Sequence, residues 1–347
     1  MRFATYNVEW FNALFDDNGR LLFDRELSAR YHLTRGEQLR ALGVVFQKID
    51  VDAITIIEGP DTTGKRSTVR ALETFAAHFG LRARRALSGF VSGTEQEIAF
   101  LYDPDKMSAR HDPKGGASDL VAKGAAPRFD GTFHYDLDSD GISEPITFSK
   151  PPLEIAVTTK RGVAFRVIAV HAKSKAPHGA RGDAAIARLS IVNRHKQLAQ
   201  CVWLRRRVDE HLAAGEPLIV SGDFNDGPGL DEYEKLFGRS GVEIVLGEPD
   251  ATGGSLFDPH ASMALSQKIG AMPTTARFYL APKKRYFEAL LDFIMVSDDL
   301  VRRTPAPEWR IWHPLNDPEC YLLEDLRNAL LQASDHFPVT LDLPGLG

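Results

Sequence analysis

Apolar residues in this chain fall alternately into short continuous runs and into helical spacings. Residues 2–8 alternate as a strand that ends on Asn7 and Glu9. Thr34-Arg35-Gly36-Glu37 has the Thr-x-x-Glu form of a capping box, and Leu39, Leu42, Val45, Phe46 and Ile49 follow it, predicting a helix to about Ile49. Ala53-Ile54-Thr55-Ile56-Ile57 predicts a buried strand that stops at Glu58-Gly59-Pro60. Ser67 to Phe79 repeats apolar residues at 69, 72, 75, 76 and 79, a second helix closed by Gly80. Leu81–Arg84 and Ile98–Tyr102 predict neighbouring strands, so the first half reads β-α-β-α-β-β.

The second half repeats the theme loosely. Leu153–Thr159 and Val163–Val170 predict a hairpin around Lys160-Arg161-Gly162, its second strand ending on His171. Asp183 is placed to cap a helix that runs to about Ala214, where Gly215 and Pro217 stop it. Apolar residues at 186, 189, 192, 198, 202 and 212 mark its expected buried side, and Arg205-Arg206-Arg207 an expected solvated face. Leu218-Ile219-Val220-Ser221 then runs into Gly222-Asp223-Phe224-Asn225, a buried strand delivering a carboxylate and a carboxamide, two residues apart, to its end. Leu290–Val296 predicts a strand carrying the single acid Asp292, and Leu322–Gln332 a helix. A last strand is entered through Ser334-Asp335-His336-Phe337-Pro338. Repeats and separating linkers are absent from the pattern. It predicts one α/β domain over residues 1–347, two stacked sheets with helices outside, and inserted loops near 11–33, 103–150 and 247–285.

Composition narrows this little: 347 residues, 43% hydrophobic and 26% charged, describe a soluble globular chain with a large core. A net charge of −5 provides no global basic field, so a polyanion has to be met by a local patch or a metal. Cys201 and Cys320 exclude a disulfide framework and are compatible with a reducing compartment. The N-terminal strand offers neither a basic region nor an apolar h-region, and no stretch nears the roughly 20 apolar residues of a membrane span. A cytoplasmic location is the expectation, with secretion open if a leader has been removed.

The chemistry concentrates where apolar strands end. Asn7, Glu58, His171, Asp223 with Asn225, Asp292, and Asp335 with His336 each interrupt or follow a strand. Singly, each is an ordinary strand end. Together they supply what metal-assisted attack on phosphorus requires, and oxygen ligands such as Asn7, Glu58 and Asp335 suit Mg²⁺ or Mn²⁺ rather than zinc. Asp136-Leu137-Asp138-Ser139-Asp140-Gly141 matches the first half of a calcium loop, but its twelfth position is Thr147 and not Glu, so a plain acidic turn is the expectation.

Asn7, Glu58, His171, Gly222-Asp223-Phe224-Asn225, Asp292-Phe293-Ile294 and Ser334-Asp335-His336-Phe337-Pro338-Val339, in that order, resemble the endonuclease/exonuclease/phosphatase superfamily, the fold of deoxyribonuclease I, across residues 5 to 341. The resemblance implies a four-layer α/β (α+β) sandwich of two mixed sheets flanked by helices, with the site at one end. It implies Glu58 as principal metal ligand with Asn7 and Asp335 close by, and Asp223 positioning or deprotonating the attacking water. Asn225 would hold that water or a phosphate oxygen, His171 and His336 would donate to phosphoryl oxygens, and Asp292 would fix His336. Ile57, Phe293 and Leu290 depart from the residues usual at those positions, so substrate detail does not carry over.

His171-Ala172-Lys173-Ser174-Lys175 resembles a segment of bacterial secreted nucleases in this superfamily, and two lysines there would serve a phosphate backbone. Arg82, Arg84, Arg85 and Lys283-Lys284-Arg285 are further basic groups that could flank the site; Trp10, Phe11 and Phe15 could stack on bases or form a small satellite core. A metal-dependent nuclease or phosphodiesterase is the first expectation, a phosphatase or phospholipid-headgroup hydrolase the second. No exposed apolar hairpin suited to a bilayer favours the lipid version. A binding module without turnover would lack Glu58, Asp223 or His336, and all three are present.

Overall fold

Strand alternation sorts the side chains of this protein onto two faces, and the result is three separate apolar layers. The computed structural model describes every residue except 31, 93, 118–124, 137–140, 177–178, 229–237, 249–253, 267–271, 281–283 and 347. The chain runs β1 (Arg2–Asn7), α1 (Arg35–Ile49), β2 (Ala53–Gly59), α2 (Thr68–Phe79), β3 (Arg85–Ser88), β4 (Glu97–Tyr102) and β5 (Met107–His111). A small hairpin, β6 (Phe133–Tyr135) and β7 (Glu144–Ile146), precedes β8 (Leu153–Thr159), β9 (Ala164–His171), α3 (Asp183–Ala213) and β10 (Leu218–Asp223). Then come α4 (Gly241–Leu246), β11 (Leu256–Phe257), α5 (Pro259–Ser266) and a second hairpin, β12 (Ala276–Leu280) and β13 (Arg285–Ala289). The last elements are β14 (Asp292–Ser297), α6 (Asp298–Arg302), β15 (Glu308–Ile311), α7 (Pro318–Leu322), α8 (Glu324–Ala333) and β16 (Val339–Asp342).

Two mixed six-stranded sheets result, ordered β15-β16-β1-β2-β4-β3 and β11-β14-β10-β9-β8-β5, with β1/β2 and β9/β10 as the parallel pairs. Ala4, Tyr6, Ile54 and Ile56 pack outward against α1, α2 and α8. Ile168, Val170, Leu218 and Val220 pack outward against α3 and α4. The intervening residues, Phe3, Ala53, Ile57, Val167, Ala169, Ile219, Ile294 and Val296, fill the space between the sheets. A four-layer α/β sandwich follows from this alternation. Among the described residues, no helix is long and apolar enough to cross a membrane.

Several expectations need correction. Leu81–Arg84 is a loop, and the strand starts at Arg85. Arg82 pairs there with Asp50 and Asp52, and Arg84 with Asp103 and Asp105. Residues 11–33 are not merely a surface loop, because Phe11 and Phe15 are buried in the first helical core and Arg66 Nη1 donates to the carbonyls of Asn12 and Phe15. Residues 103–150 contain the edge strand β5, which pairs with β8. Gly182, not Asp183, is the N-cap of α3, and no side chain caps it. The expected buried side of α3 holds only in part: Val202 and Leu212 pack against the core, but Ile186 and Val192 are exposed, and the buried residues include Arg194, Gln197, Cys201, Leu204, Arg207 and Val208. Arg205 and Arg207 both depart from the expected solvated face: Arg205 donates to the Val245, Leu246 and Gly254 carbonyls, and Arg207 meets Glu154 at 3.1 Å. Both cysteines are free and buried. Leu137 to Asp140 of the acidic loop lie outside the described residues.

Candidate active site

The same alternation places the polar strand ends. Phe3, Thr5 and Asn7 share a face of β1; Val167, Ala169 and His171 share one of β9; Ile219, Ser221 and Asp223 share one of β10; and Asp292 continues the face of Ile294 and Val296. Each of these is the face turned toward the other sheet. The register then sets His171, Asp223 and Asp292 side by side on three adjacent strands. Further in, the apolar layer is already turning polar, where Thr55 Oγ1 and Ser221 Oγ meet across the sheets at 2.9 Å.

Gly222 makes this arrangement possible. It has φ 139°, and a Cβ there would overlap the Val170 carbonyl of the neighbouring strand. Beyond the strand, Asn225 reaches Asp223 by a left-handed turn at φ 49° rather than by the pleat expected for residues two apart. Its backbone N–H donates to Asp223 Oδ1 at 2.7 Å, and its Nδ2 lies 3.3 Å from Asp223 Oδ2.

Asp223 Oδ2 is the hub of the site. Asn7 Nδ2 donates to it at 3.0 Å, while His171 Nε2 and His336 Nε2 stand 3.8 and 3.9 Å away. On its other side, His336 Nδ1 meets Asp292 Oδ2 at 2.7 Å. The loop before β16 is fixed by Ser334, whose hydroxyl donates to the Asn7 carbonyl at 2.8 Å and accepts from His336 N at 3.1 Å. Thr275 Oγ1 accepts from the backbone N–H groups of Leu291 and Asp292, both at 3.0 Å, and anchors the entry to β14.

Burial drives the charge states. It pushes Asp223 up to about 7 against the pull of His336, with Asp292 adding to the rise. Burial alone would neutralise His336, but Asp292, Asp223 and Asp335 outweigh it and hold the imidazolium well above the usual histidine range. His171 goes the other way, held well below that range by burial and by Lys150, His336 and Lys173. The site thus contains one charged and one neutral imidazole around a single carboxylate.

Glu58 reaches the site by a different route. The register of β2 against β4 slips between Ile56 and Gly59, and Glu58 takes φ 59°, a bulge that breaks the alternation sending Ile54 and Ile56 toward the helices. Glu58 Oε2 accepts from Gln96 Nε2 at 2.6 Å, and Lys150 Nζ donates to Gln96 Oε1 at 3.0 Å. Asp335 is pushed up to about 7 by burial against the pull of His336, with Glu9 and Glu58 adding to the rise. Ligating atoms of Asp223, Asp292 and His336 lie within 4.8 Å of one another, a cluster that includes neither Glu58 nor Asp335. Within that cluster His336 Nδ1 is paired with Asp292 Oδ2 at 2.7 Å. Oxygens suited to a hard cation do remain: Asn7 Oδ1 is buried and no donor meets it, and Glu58 and Asp335 are carboxylates.

Lys150, Gln96, Gln197 and Thr275 were not anticipated; three lie in segments without periodicity, and Gln197 is a polar residue on the buried side of α3. Gln197 Nε2 donates to the carbonyls of Phe224 and Asn225 at 3.1 and 2.9 Å. Lys175, expected to face substrate, instead pairs with buried Asp226 at 2.7 Å, which Arg194 also contacts at 2.7 Å. Arg82 and Arg84, with their acidic partners, sit where β2 begins and β4 ends, at the opposite end of the sheet from Glu58. Arg85, on edge strand β3, pairs with Glu73 at 3.4 Å. Lys284 and Arg285 are exposed, and Lys283 lies outside the described residues.

No protein-family model and no curated protein matches this chain. Its backbone is similar to that of truncated Caenorhabditis elegans TDP2, with 13% identity, 98% of this chain and 96% of that one covered, and a TM-score of 0.50. It is similar too to a 3′-5′ exonuclease from Neisseria meningitidis (16% identity, 99% and 99% covered, TM-score 0.49). A third is the human Nocturnin catalytic domain with bound sulfate (15% identity, 99% and 93% covered, TM-score 0.47). With the paired sheets and the order of their strands, the first likeness establishes an architecture: this chain has a deoxyribonuclease I-like fold.

Proposed function

We propose that this protein is a divalent-metal-dependent phosphodiesterase that acts as a nuclease. The observation that carries the reading is the setting of Asp223 Oδ2, a buried carboxylate oxygen faced by two imidazoles at 3.8 and 3.9 Å. Those separations are too long for direct hydrogen bonds and leave room for an oxygen of water or phosphate to be shared. With its pKa pushed up to about 7, Asp223 is matched to taking a proton from water at neutral pH. In the reaction, water oxygen bonds to phosphorus, its proton passes to Asp223, and the P–O bond to the leaving group breaks in line. His336, kept cationic by Asp292, donates from Nε2 to the phosphoryl oxygens as their charge grows. His171, in the tautomer protonated on Nε2, gives a second, neutral donor. Asn225 orients the carboxylate through its backbone N–H.

Glu58, Asn7 and Asp335 are the residues that would hold Mg²⁺ or Mn²⁺, and the bound ion would supply Lewis-acid stabilisation of the phosphoryl charge. The test is hydrolysis of single-stranded and duplex DNA, RNA and a bis-aryl phosphodiester with Mg²⁺ or Mn²⁺. Asp223→Asn should lower kcat by roughly 10²–10⁴-fold while the melting curve stays cooperative. Activity that persists through both this substitution and chelation would overturn the mechanism.

A further inference from the structure

A cleft of about 620 Å³ opens directly beside the site, with Ser334 and Asp335 in its inner wall. Its outer wall is the β12–β13 hairpin, and that hairpin is fastened to the catalytic loop. Ala276 bridges to His336, Arg277 N donates to the Asp335 carbonyl at 2.7 Å, and Phe278 meets the His336 ring edge-on at 5.5 Å. Tyr279 and Tyr286, cross-strand partners further out, stand in T-shaped contact at 5.3 Å and are 41% and 57% exposed. Arg277 lies over the Tyr286 ring at 4.2 Å. Leu33, Leu315 and Phe337 make much of the remaining lining apolar.

A cross-strand tyrosine pair can serve only to stabilise a hairpin. Two features argue for more: the pair lines a cavity of nucleoside size that also reaches Asp335, and the Arg277 guanidinium over the Tyr286 ring lies in the same lining. We propose that this cleft seats an unpaired nucleobase next to the scissile phosphodiester, stacked on Tyr286 with its edge toward Tyr279, and that the substrate is therefore a single strand or a frayed end rather than intact duplex. In a duplex the base faces are already stacked and unavailable to a side wall. Arg277, which also pairs with Glu288 at 3.3 Å, brings a guanidinium to this lining. This inference rests on the phosphodiesterase reading for its substrate, but its test does not depend on turnover.

Binding of a fluorescent single-stranded oligodeoxynucleotide and of the same sequence as duplex is measured in Mg²⁺ with the Asp223→Asn protein, then with Tyr286→Ala and Tyr279→Ala added. Wild-type-like rings should prefer the single strand, and each alanine should weaken it roughly 5- to 150-fold. Tyr286→Phe, which keeps the ring, should bind as the parent does. In the otherwise wild-type enzyme, the tyrosine variants should raise KM for the oligonucleotide and leave hydrolysis of methyl p-nitrophenyl phosphate unchanged. Equal affinity for duplex, or no loss with Tyr286→Ala, would overturn the cleft. Hydrolysis of the small diester with no oligonucleotide binding would overturn it while leaving the phosphodiesterase reading intact, whereas tight single-strand binding without hydrolysis would do the reverse.

Discussion

At the scale of single residues, burial decides which groups carry charge, and histidine shows it in both directions. His336 is buried beside Asp292 and keeps its proton; His313 is buried without a carboxylate in hydrogen-bonding contact and loses it. Burial, with Arg277 adding and Asp317 opposing, pulls His313 from 6.5 down to about 4, and its Nδ1 accepts from the backbone N–H groups of Leu315 and Asn316 at 3.1 and 3.0 Å. Because the folded value lies below the unfolded one, the unfolded chain takes up the proton first as pH falls. The stability that neutral His313 contributes is therefore complete above about 6.5 and drains away toward 4. The loss by pH 5 is on the order of 1–2 kcal/mol once partial solvent screening is allowed. His313→Gln should be the less stable protein at pH 7.5, and urea titrations should show the gap to wild type closing by that amount at pH 5. A gap that stays constant would mean that His313 does not titrate as its burial requires.

At the scale of elements, what could be read from sequence depended on whether an element buries apolar or polar groups. The strands bury apolar residues, so their runs and alternation marked β1, β2, β9, β10 and β14 and put Asn7, His171, Asp223 and Asp292 at their ends. Glu58 is a partial exception: its position was visible, but the bulge that re-aims it leaves no trace in Ile56-Ile57-Glu58-Gly59. Helix α3 failed the reading for a physical reason. Its middle buries Asn193, Arg194, Gln197 and Gln200, which tie down the loops after β9 and β10, so a search for an apolar stripe misses much of its buried side. Gln197→Ala would strip the Phe224 and Asn225 carbonyls of their donor at a cost of about 1–3 kcal/mol. Because these carbonyls flank the turn that holds Asn225 on Asp223, kcat should fall by roughly 10- to 100-fold with KM little changed. Ile186→Ser, three turns before Gln197 on the same side of α3 but 39% exposed near the helix N-terminus, should leave both stability and kcat within about 0.5 kcal/mol of wild type. Matching effects from the two substitutions would mean that Gln197 does not anchor the turn after β10.

At the scale of the whole molecule, the packing of the two sheets concentrates negative charge. The carboxyl ends of β2 and β10 lie at one edge of the sandwich, and there Glu58, Asp223, Asp292 and Asp335 gather, largely removed from water. His336 and Lys150 offset part of this charge: Asp292 is matched by His336, and Lys150 interacts with Glu58 and Asp223. Mutual repulsion remains, and it shows in Asp223 and Asp335, both raised to about 7 with neighbouring carboxylates adding to the effect of burial. A divalent cation on the Glu58 side would relieve it, so folding and ion binding should be linked. Each tenfold excess of ion over its Kd should then add about 1.4 kcal/mol of stability. Mg²⁺ should raise the melting temperature of the wild-type protein in a saturable way, with a larger shift than the same ionic strength of NaCl. Glu58→Gln removes a charge and the proposed ligand together, so this variant should start with a melting temperature equal to or above that of metal-free wild type and lose most of the Mg²⁺ response. A response of equal size in Glu58→Gln would move the ion away from Glu58, and no response in either protein would remove the cation from this edge of the sandwich.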